Sequence, residues 1–469
     1  MQSRFKALDE LWNFPYLKYR LFSEKKIIEQ FIRSRKTTRK WSFSIVTPTY
    51  GIKATYVERF LRSLERQTNQ NFEICICNDG DHSSDLVKIL TKYQTRFGAD
   101  RFHLINHKTN QGICAGTRSA LSLASADYIA FVDADDELHP RCFEAQSAFI
   151  GDSDDYDFIY TNHDLMTDWD LRYRPVSKPI WSPETLLNYN YVNHLAVVKR
   201  SLLPKLGDIF SQKYEGCQDW DFCLKVIENA ERVGHIPLYL YHWRMRPGSV
   251  AHSSSSKPYV IEAQARARGD FLSRQDPPLQ ILANNILKFM DPSRAKDIYT
   301  LYVPPEFELQ TIIDMAYAAP EKYLLLKLDK HPEIEGDTET LMAYASFKGV
   351  ACTFPFSTPG RRAAYTIRDG LLEPVLGNRS SFSFSTGNIL AGPTHGCTIE
   401  KAKLMRLVNF ARKGLSLQKI KAHELGPFLS LMGLQIGLRS VAVKNLTSEF
   451  DLRPIDIPGS LNPKIDPYI

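Results

Sequence analysis

The sequence predicts an α/β fold with a mostly parallel, doubly wound sheet, and two observations support this prediction. Short apolar segments rich in β-branched and aromatic residues alternate with segments of helical periodicity between residues 43 and 132. The first, second and fourth of these apolar segments each end in polar residues. Because the carboxyl ends of parallel strands meet at one edge of a sheet, these polar residues are expected to converge on a ligand site.

The predicted elements follow one another in a regular order up to residue 132 and in a more mixed order afterwards. Strands are predicted at 43–47, 72–77, 102–106 and 128–132, and helices at 56–67, 86–97 and 113–125. Further on, strands are predicted at 158–162, 194–199 and 235–243, and helices from 201, at 218–230 and at 259–272. The proline pair after Asp276 cannot continue a helix, so a domain boundary is expected at 274–278.

A length of 469 residues fits two to four domains, of which two is the simplest number. We expect a basic helical extension at 1–40, an α/β domain at 41–274 and a second, smaller α/β domain at 280–469. In the second domain, strands are predicted at 298–303 and 323–328, with a helix at 307–319 between them.

The extension at 1–40 is rich in basic and aromatic residues. It is interpreted either as an amphipathic helix on an anionic membrane surface or as a basic helix packed on the first domain. Its basic residues include Lys18, Arg20, Lys25, Lys26, Arg33, Arg35, Lys36, Arg39 and Lys40.

Bulk composition favours a cytoplasmic protein, either free or at the inner face of a membrane. No apolar run is long enough to span a bilayer, and no signal peptide is expected before the basic extension. The eight cysteines are scattered, which is typical of reduced, buried thiols. A net charge of +6 is too modest to indicate a nucleic-acid partner.

The segment 128–138 ends an apolar strand in three closely spaced carboxylates, Asp133, Asp135 and Asp136. Carboxylates this close repel one another unless a cation neutralises them. Oxygen ligands suit Mg²⁺ or Mn²⁺, and those ions in turn suit a diphosphate. The alternative is a solvated acidic turn.

Six short segments in a fixed order, read together, resemble the family 2 glycosyltransferases, which have the GT-A fold. They lie at 44–50, 76–80, 110–112 with Ala115 and Arg118, 132–136, 218–221, and 241–244 with 247–249. The resemblance covers about residues 43–250. It implies transfer of a sugar, with inversion, from a nucleotide diphosphosugar to an acceptor hydroxyl, with a carboxylate as general base.

The resemblance implies roles for the residues that follow the first strands. Pro48, Thr49 and Tyr50 would line the nucleobase pocket, where Tyr50 could also be a simple turn aromatic. Asp79 would hydrogen-bond the base or ribose, unless it only caps a turn. Arg118 would reach the donor phosphates or the acidic segment, unless it is a surface arginine.

In the acidic segment, the resemblance implies that Asp135 and Asp133 bind a divalent cation, Mn²⁺ or Mg²⁺. Asp133 could instead contact the ribose of the donor. Asp136 is expected either to support these two residues or to face solvent.

Asp219 is the candidate general base, although an aspartate at a helix start is also a common cap. Trp220 is either a platform under the acceptor sugar or a core residue, and Asp221 is either structural or a second polar contact. Arg244 and Arg246 are candidates to contact the acceptor or the diphosphate.

Two positions depart from the family pattern. Gln218 stands where the family usually has glutamate, which leaves a base at Asp219 but changes the acceptor surroundings. Arg246 stands where many relatives have a histidine, and arginine can bind a diphosphate but cannot ligate a metal. His242 and His252 lie nearby and are more often structural.

The C-terminal region faintly resembles a second, degenerate GT-A domain. The segment 329–331 would stand at its acidic motif and His423-Glu424 near its base position, but only about one helix separates its first two strands. A simple accessory domain fits this region nearly as well.

The main interpretation is an inverting glycosyltransferase that builds a surface glycan or polysaccharide. Its partners would be a nucleotide diphosphosugar donor and a glycan or lipid-linked glycan acceptor. One rival is a non-catalytic glycan- or partner-binding protein with a decayed transferase domain. Another is a nucleotidyltransferase, for which the Gly-rich phosphate loop is missing.

Overall fold

The computed structural model describes most of the chain and divides it into two compact units. It describes residues 14–35, 37–152, 156–245, 258–282, 286–307, 309–328, 331, 333–357, 363–368, 371–376, 387–389, 392–411, 420–436, 438–448 and 455–456. Of these, the first unit contains the residues up to Trp181 and those of Asn190–Ala267. The second contains Ser182–Tyr189 and the residues from Arg268 onward.

The first unit is built on a nine-stranded mixed sheet, counted over the described residues. The strands are β1 Phe43–Thr49, β2 Phe72–Asn78, β3 Phe102–Asn106, β4 Tyr128–Phe131, β5 Glu137–Leu138, β6 Phe158–Met166, β7 Arg172–Val176, β8 Ala196–Lys199 and β9 Val233–Arg244. Their order in the sheet is β3-β2-β1-β4-β8-β6-β9-β5, with β7 paired to β6.

Strand direction places the carboxyl ends of β1, β2 and β4 at one edge of this sheet. β1 runs parallel to both β2 and β4, and β2 runs parallel to β3. β8 is antiparallel to β4 and to β6, while β6 and β9 are parallel. This arrangement confirms the predicted α/β class with a mostly parallel sheet.

Helices pack on the sheet through apolar residues. The helix Ala54–Glu65, for example, buries Val57, Phe60, Leu61 and Leu64. The helices of this unit are Phe14–Lys18, Glu24–Arg33, Ala54–Glu65, Ser84–Phe97, Ile113–Leu121, Cys142–Ile150, Gln218–Asn229 and the start of Pro258–Ser273, with a π-helix at Tyr19–Ser23 and 3₁₀ turns at Arg200–Leu206 and Gln212–Tyr214.

The N-terminal helix Glu24–Arg33 packs on the first unit through one face, on which Ile28 and Phe31 are buried. Glu24 forms an ion pair with Arg172, at 2.5 Å between Oε1 and Nη2. Arg172 also contacts the buried carboxylate of Asp164, to which Tyr16 donates a hydrogen bond. Over the described residues, no helix is long and apolar enough to cross a bilayer.

The second unit is also mixed α/β, as predicted. The strands are β10 Leu279–Ile281, β11 Leu287–Phe289, β12 Ile298–Val303, β13 Glu306–Phe307, β14 Tyr323–Leu328, β15 Val350–Ser357, β16 Ala363–Arg368, β17 Leu371–Leu376, β18 Gly387–Ile389, β19 Thr398–Glu400, β20 Ile420–Lys421, β21 Arg439–Ser448 and β22 Ile455–Asp456. The larger sheet has the order β12-β14-β19-β15-β21-β18.

The helices of the second unit are Pro183–Asn188, Leu309–Ala318, Glu339–Ala345, Lys401–Ala411 and Leu425–Gln435, with 3₁₀ turns at Pro292–Lys296 and Ala422–Glu424. β12 and β14 coincide with the strands predicted at 298–303 and 323–328, and they pair in parallel. Two residues of the supposed acidic motif, Asp329 and Lys330, lie outside the described residues.

Candidate functional site

The three carboxylates that follow β4 form one cluster, in which ligand oxygens of Asp133, Asp135 and Asp136 all lie within 4.8 Å of one another. Asp136 is buried and points inward: Tyr241 Oη donates to its Oδ2 at 2.5 Å, and the Arg244 amide donates to its Oδ1 at 2.7 Å. Burial raises the pKa of Asp136 well above its usual range, and the charges of Asp133 and Asp135 add to this effect. Asp136 therefore supports the cluster from behind.

Arg244 lies behind the acidic cluster with its side chain fully buried. Its Nε donates to the Asp135 carbonyl at 2.9 Å. Its two terminal nitrogens bind Glu137 Oε1 and Asp170 Oδ1, both at 2.6 Å. The structure therefore does not bring Arg244 to the substrate side, where the sequence placed it, because these three groups and the Thr167 carbonyl already hold the guanidinium.

Asp133 and Asp219 line the same cleft, which has a volume of about 510 Å³ counting its open mouth. They come from segments 86 residues apart. The lining residues are Val46, Pro48, Ile113, Thr117, Phe131, Val132, Asp133, Asn193, His194, Ala196, Phe210, Gln218, Asp219 and Phe222. The cleft thus holds a member of the acidic cluster, the candidate base and the predicted donor contact Pro48.

Two asparagine side chains hold the carboxylate of Asp219. Asn193 Nδ2 donates to Asp219 Oδ2 at 2.7 Å, and Asn190 Nδ2 donates to the same oxygen at 3.1 Å. No described residue donates a hydrogen bond to Oδ1. Asp219 is therefore oriented through one oxygen, while the other can accept a proton from a substrate. Sequence reasoning identified neither asparagine.

His194 is a second residue of the cleft that sequence reasoning missed as a functional group. Its Nε2 lies 3.6 Å from Asp133 Oδ2. Burial lowers the pKa of His194 to about 4, against the opposing effect of the Asp219 charge, so the ring is neutral near pH 7. His194 reaches the acidic cluster through the antiparallel pairing of β4 with β8, in which Phe131 lies opposite Ala196, and this pairing has no local signal in the sequence.

Gln218, which stands where the family usually has glutamate, also lines the cleft. Its Oε1 is buried and accepts no hydrogen bond from the described residues. A buried amide oxygen without a donor is costly, so this atom is a candidate to accept a hydrogen bond from a bound hydroxyl.

The predicted donor residues at the end of β1 differ in their surroundings. Pro48 lines the cleft. Thr49 is buried, and its Oγ1 has no hydrogen-bond partner among the described residues. Tyr50 is 56% exposed, so its ring is available to stack on a flat ligand.

Asp79 is buried and organises the loops beside the cleft. Its Oδ1 lies 2.6 Å from His107 Nδ1 and accepts from the Gln111 amide at 3.0 Å, and its Oδ2 accepts from the Gly112 amide at 3.0 Å. These contacts fit the alternative in which Asp79 stabilises a turn. Arg118 donates to the carbonyl of Phe210, a lining residue of the cleft.

The remaining predicted contacts do not line the cleft or cannot be placed. Trp220 is buried, and Asp221 is buried with Lys225 Nζ at 2.7 Å from its Oδ2. Trp220 therefore fits the alternative of a core residue, and Asp221 fits the alternative of a structural residue. Arg246 and the 247–249 segment lie outside the described residues, as does His252. His242 is buried against Asp164 at 2.8 Å.

Comparisons with known proteins relate the first part of the chain to a protein family. Residues 44–207 match the model of the family described as "Glycosyl transferase family 2". Similar proteins include the uncharacterised protein y4gI of Sinorhizobium fredii, with 31% identity over 49% of this chain and 25% of that protein. The O-antigen biosynthesis protein RfbC of Myxococcus xanthus has 25% identity over 60% of this chain and 22% of its own length.

The amylovoran biosynthesis glycosyltransferase AmsB of Erwinia amylovora has 26% identity over 47% of this chain and 75% of its own length. The chain thus spans about a quarter of the length of the first two curated relatives and three quarters of the third.

Proposed function

We propose that the chain transfers a sugar from a nucleotide diphosphosugar to an acceptor hydroxyl of a glycan or polysaccharide, because residues 44–207 match the model of glycosyl transferase family 2. The observation that carries this proposal is the cleft shared by Asp133 and Asp219. One carboxylate comes from the cluster at the end of a parallel strand and the other from a helix start, so donor and acceptor can meet between them.

Asp219 is proposed as the general base. Asn190 and Asn193 fix its Oδ2, which leaves Oδ1 to accept the proton of the acceptor hydroxyl. As the proton moves to Asp219, the acceptor oxygen bonds to the anomeric carbon. The bond from that carbon to the diphosphate breaks with its electron pair, and the sugar centre inverts.

Asp133 and Asp135 are proposed to hold a divalent cation, Mn²⁺ or Mg²⁺. The donor set fits such an ion, because the cluster offers carboxylate oxygens within 4.8 Å of one another. When bound, the ion would neutralise negative charge that develops on the leaving diphosphate. Asp136 and Arg244 would keep the two carboxylates in position.

The donor nucleotide is proposed to lie along the end of β1, with Pro48 in the cleft and the exposed Tyr50 against the base. Asp79 and Arg118 would support this region through the loops that they hold, while Gln218 would contact the acceptor.

The acceptor is proposed to be a growing surface glycan, free or lipid-linked. The names of two relatives, which refer to O-antigen and amylovoran biosynthesis, support this class. Exposed lysines on the N-terminal helices, at Lys18, Lys25 and Lys26, would favour contact with an anionic membrane surface.

The test is Asp219→Asn, compared with wild type in sugar transfer and in thermal stabilisation by nucleotide diphosphosugars with Mn²⁺. We expect transfer to fall by about 10³-fold, because a general base contributes on this scale, while the stabilisation by donor is retained. The matched control is Asp85→Asn, an exposed aspartate that is likewise the second residue of its helix. A fully active Asp219→Asn enzyme would refute the base, and no response to any nucleotide would favour a non-catalytic glycan-binding protein.

A further inference from the structure

A histidine lies beside the first carboxylate of the acidic cluster, just past the paired ends of β4 and β8. The antiparallel pairs run from Tyr128 with Lys199 to Phe131 with Ala196. Asp133 lies two residues after Phe131 and His194 two residues before Ala196, so both lie just beyond the end of this pairing. There the His194 Nε2 and Asp133 Oδ2 atoms are 3.6 Å apart.

The imidazole is held in this position by its neighbours. The ring stacks on Tyr241 with centroids 5.0 Å apart and an interplanar angle of 20°. It meets Trp243 edge-on, with centroids 5.4 Å apart and an angle of 78°. Both partners lie on β9, which also carries Arg244, so the elements that fix the acidic cluster fix the histidine too.

The backbone of His194 is fixed by a buried lysine. Lys178 Nζ donates to the carbonyls of Val192 and His194, each at 2.6 Å. Lys178 is itself buried, with only 6% of its surface exposed. Burying a charged lysine costs free energy. Its presence here indicates that the position of the 192–194 backbone is important.

The acidic cluster lacks ligands on its own. Both oxygens of Asp136 are used by Tyr241 and the Arg244 amide. Asp133 and Asp135 supply only part of the roughly six ligands that Mn²⁺ and Mg²⁺ prefer, so the remaining positions are open to donor phosphates, water or another side chain. The position at which many relatives have a histidine is occupied by Arg246, which cannot coordinate a metal.

We propose that His194 supplies its Nε2 to the divalent cation beside Asp133, which takes the ligand role of the histidine replaced by Arg246. This inference rests on the proposed cation site. Because an imidazole nitrogen binds first-row transition ions better than Mg²⁺, His194 would also make the site selective for Mn²⁺.

The test uses MnCl₂ alone as the probe and electron spin echo envelope modulation as the readout. We expect ¹⁴N modulation from a bound imidazole in wild type, and its loss in His194→Gln. Labelling wild-type protein with ¹⁵N-histidine should replace the ¹⁴N modulation by ¹⁵N modulation, which makes the assignment independent of any variant's folding. His103→Gln is the matched control, since His103 is partly exposed and pairs with Glu73 outside the cleft.

Titration calorimetry with each metal gives the second readout. His194→Gln should raise the Mn²⁺ dissociation constant about tenfold and the Mg²⁺ constant less than about twofold, because only the transition ion gains from nitrogen. A different result would overturn the role of His194 but not the cation site. In that case wild type would bind Mn²⁺ without ¹⁴N modulation, and Asp135→Asn would abolish the binding. Absence of Mn²⁺ binding in wild type would overturn the cation site and this inference with it.

Discussion

At the scale of single residues, Arg244 shows how a charged side chain can be used inside a fold. Its guanidinium is fully buried and binds Glu137, Asp170 and the Asp135 carbonyl. Planar arginine can reach several acceptors at once, which a lysine in the same place cannot. The residue thus joins the acidic cluster to the neighbouring turn.

Arg244→Gln should therefore lower the free energy of unfolding by about 3 kcal/mol or more, because it removes a fully buried guanidinium and the hydrogen bonds that it gives to Glu137 and to the Asp135 carbonyl. Urea denaturation measures the change. Arg59→Gln is the control: Arg59 also pairs with Asp170, but its side chain is 34% exposed. A loss of about 1 kcal/mol or less is expected there. Equal losses in the two variants would contradict the buried role of Arg244.

The sequence indicates some of the cleft residues but not others. The sequence indicates Asp133 and Asp135 because they lie just after a strand, and Asp219 because it lies at the start of a helix. Asn193 and His194 contact them only because β8 returns antiparallel beside β4 after some sixty residues, and no local pattern announces that pairing. Arg244 was predicted as an acceptor or diphosphate contact because it belongs to the segment 241–244, but packing buries its side chain behind the acidic cluster.

At the scale of elements, the turn after β2 depends on Gly80. Gly80 has φ +84°, and a Cβ added there would lie 2.5 Å from the Thr109 carbonyl carbon. The backbone of the loop that carries the amides bound to Asp79 therefore passes directly against this glycine. No side chain fits without moving that loop.

Gly80→Ala should destabilise the fold by well over the roughly 1–2 kcal/mol that a left-handed backbone costs an alanine. It should also weaken donor binding. Gly98→Ala separates the two causes, because Gly98 has φ +83° but open space around its Cβ position. Thermal unfolding of both variants checks this expectation, and similar losses in the two would show that the contact with Thr109 is unimportant.

Elements of the first half were predictable because their periodicity is strong. β3 runs over Phe102–Asn106 as predicted, and β1, β2 and β4 differ from the prediction by one or two residues at one end. Arg172–Val176 and Cys142–Ile150 were not predicted as elements. The first is a half-exposed strand with an internal proline, and the second carries apolar residues on all sides, so neither shows a clear period.

At the scale of the whole molecule, buried histidines should make stability depend on pH. Burial lowers the pKa of His139 and His235 to about 3 and holds that of His163 well below its usual range. Below about pH 6.5 these groups bind protons only when the chain unfolds, so each lowers the free energy of unfolding by up to about 1.4 kcal/mol per pH unit.

Two carboxyls with shifted pKa values, Asp136 and Asp164, bear on the pH range of this test. The raised pKa of Asp136 acts in the opposite direction, since its folded form takes up a proton as the pH falls. Asp164, with a pKa of about 2, keeps its charge in the fold and loses its stabilisation only as the pH falls through that value. We therefore expect the melting temperature to fall between pH 6.5 and 4, and His235→Gln to flatten the fall relative to the exposed His82→Gln. A melting temperature that does not change across this range would contradict the argument.

If Asp219 is the general base proposed above, the two asparagines that bind it would have a consequence for the product. Because both donate to Oδ2, the two oxygens of the carboxylate are chemically unequal, and Oδ1 is the oxygen left to accept a proton. The acceptor hydroxyl would have to approach Oδ1, so an acceptor ring could offer only the hydroxyl that faces this oxygen. On this proposal, two amide groups would help to set which hydroxyl receives the sugar.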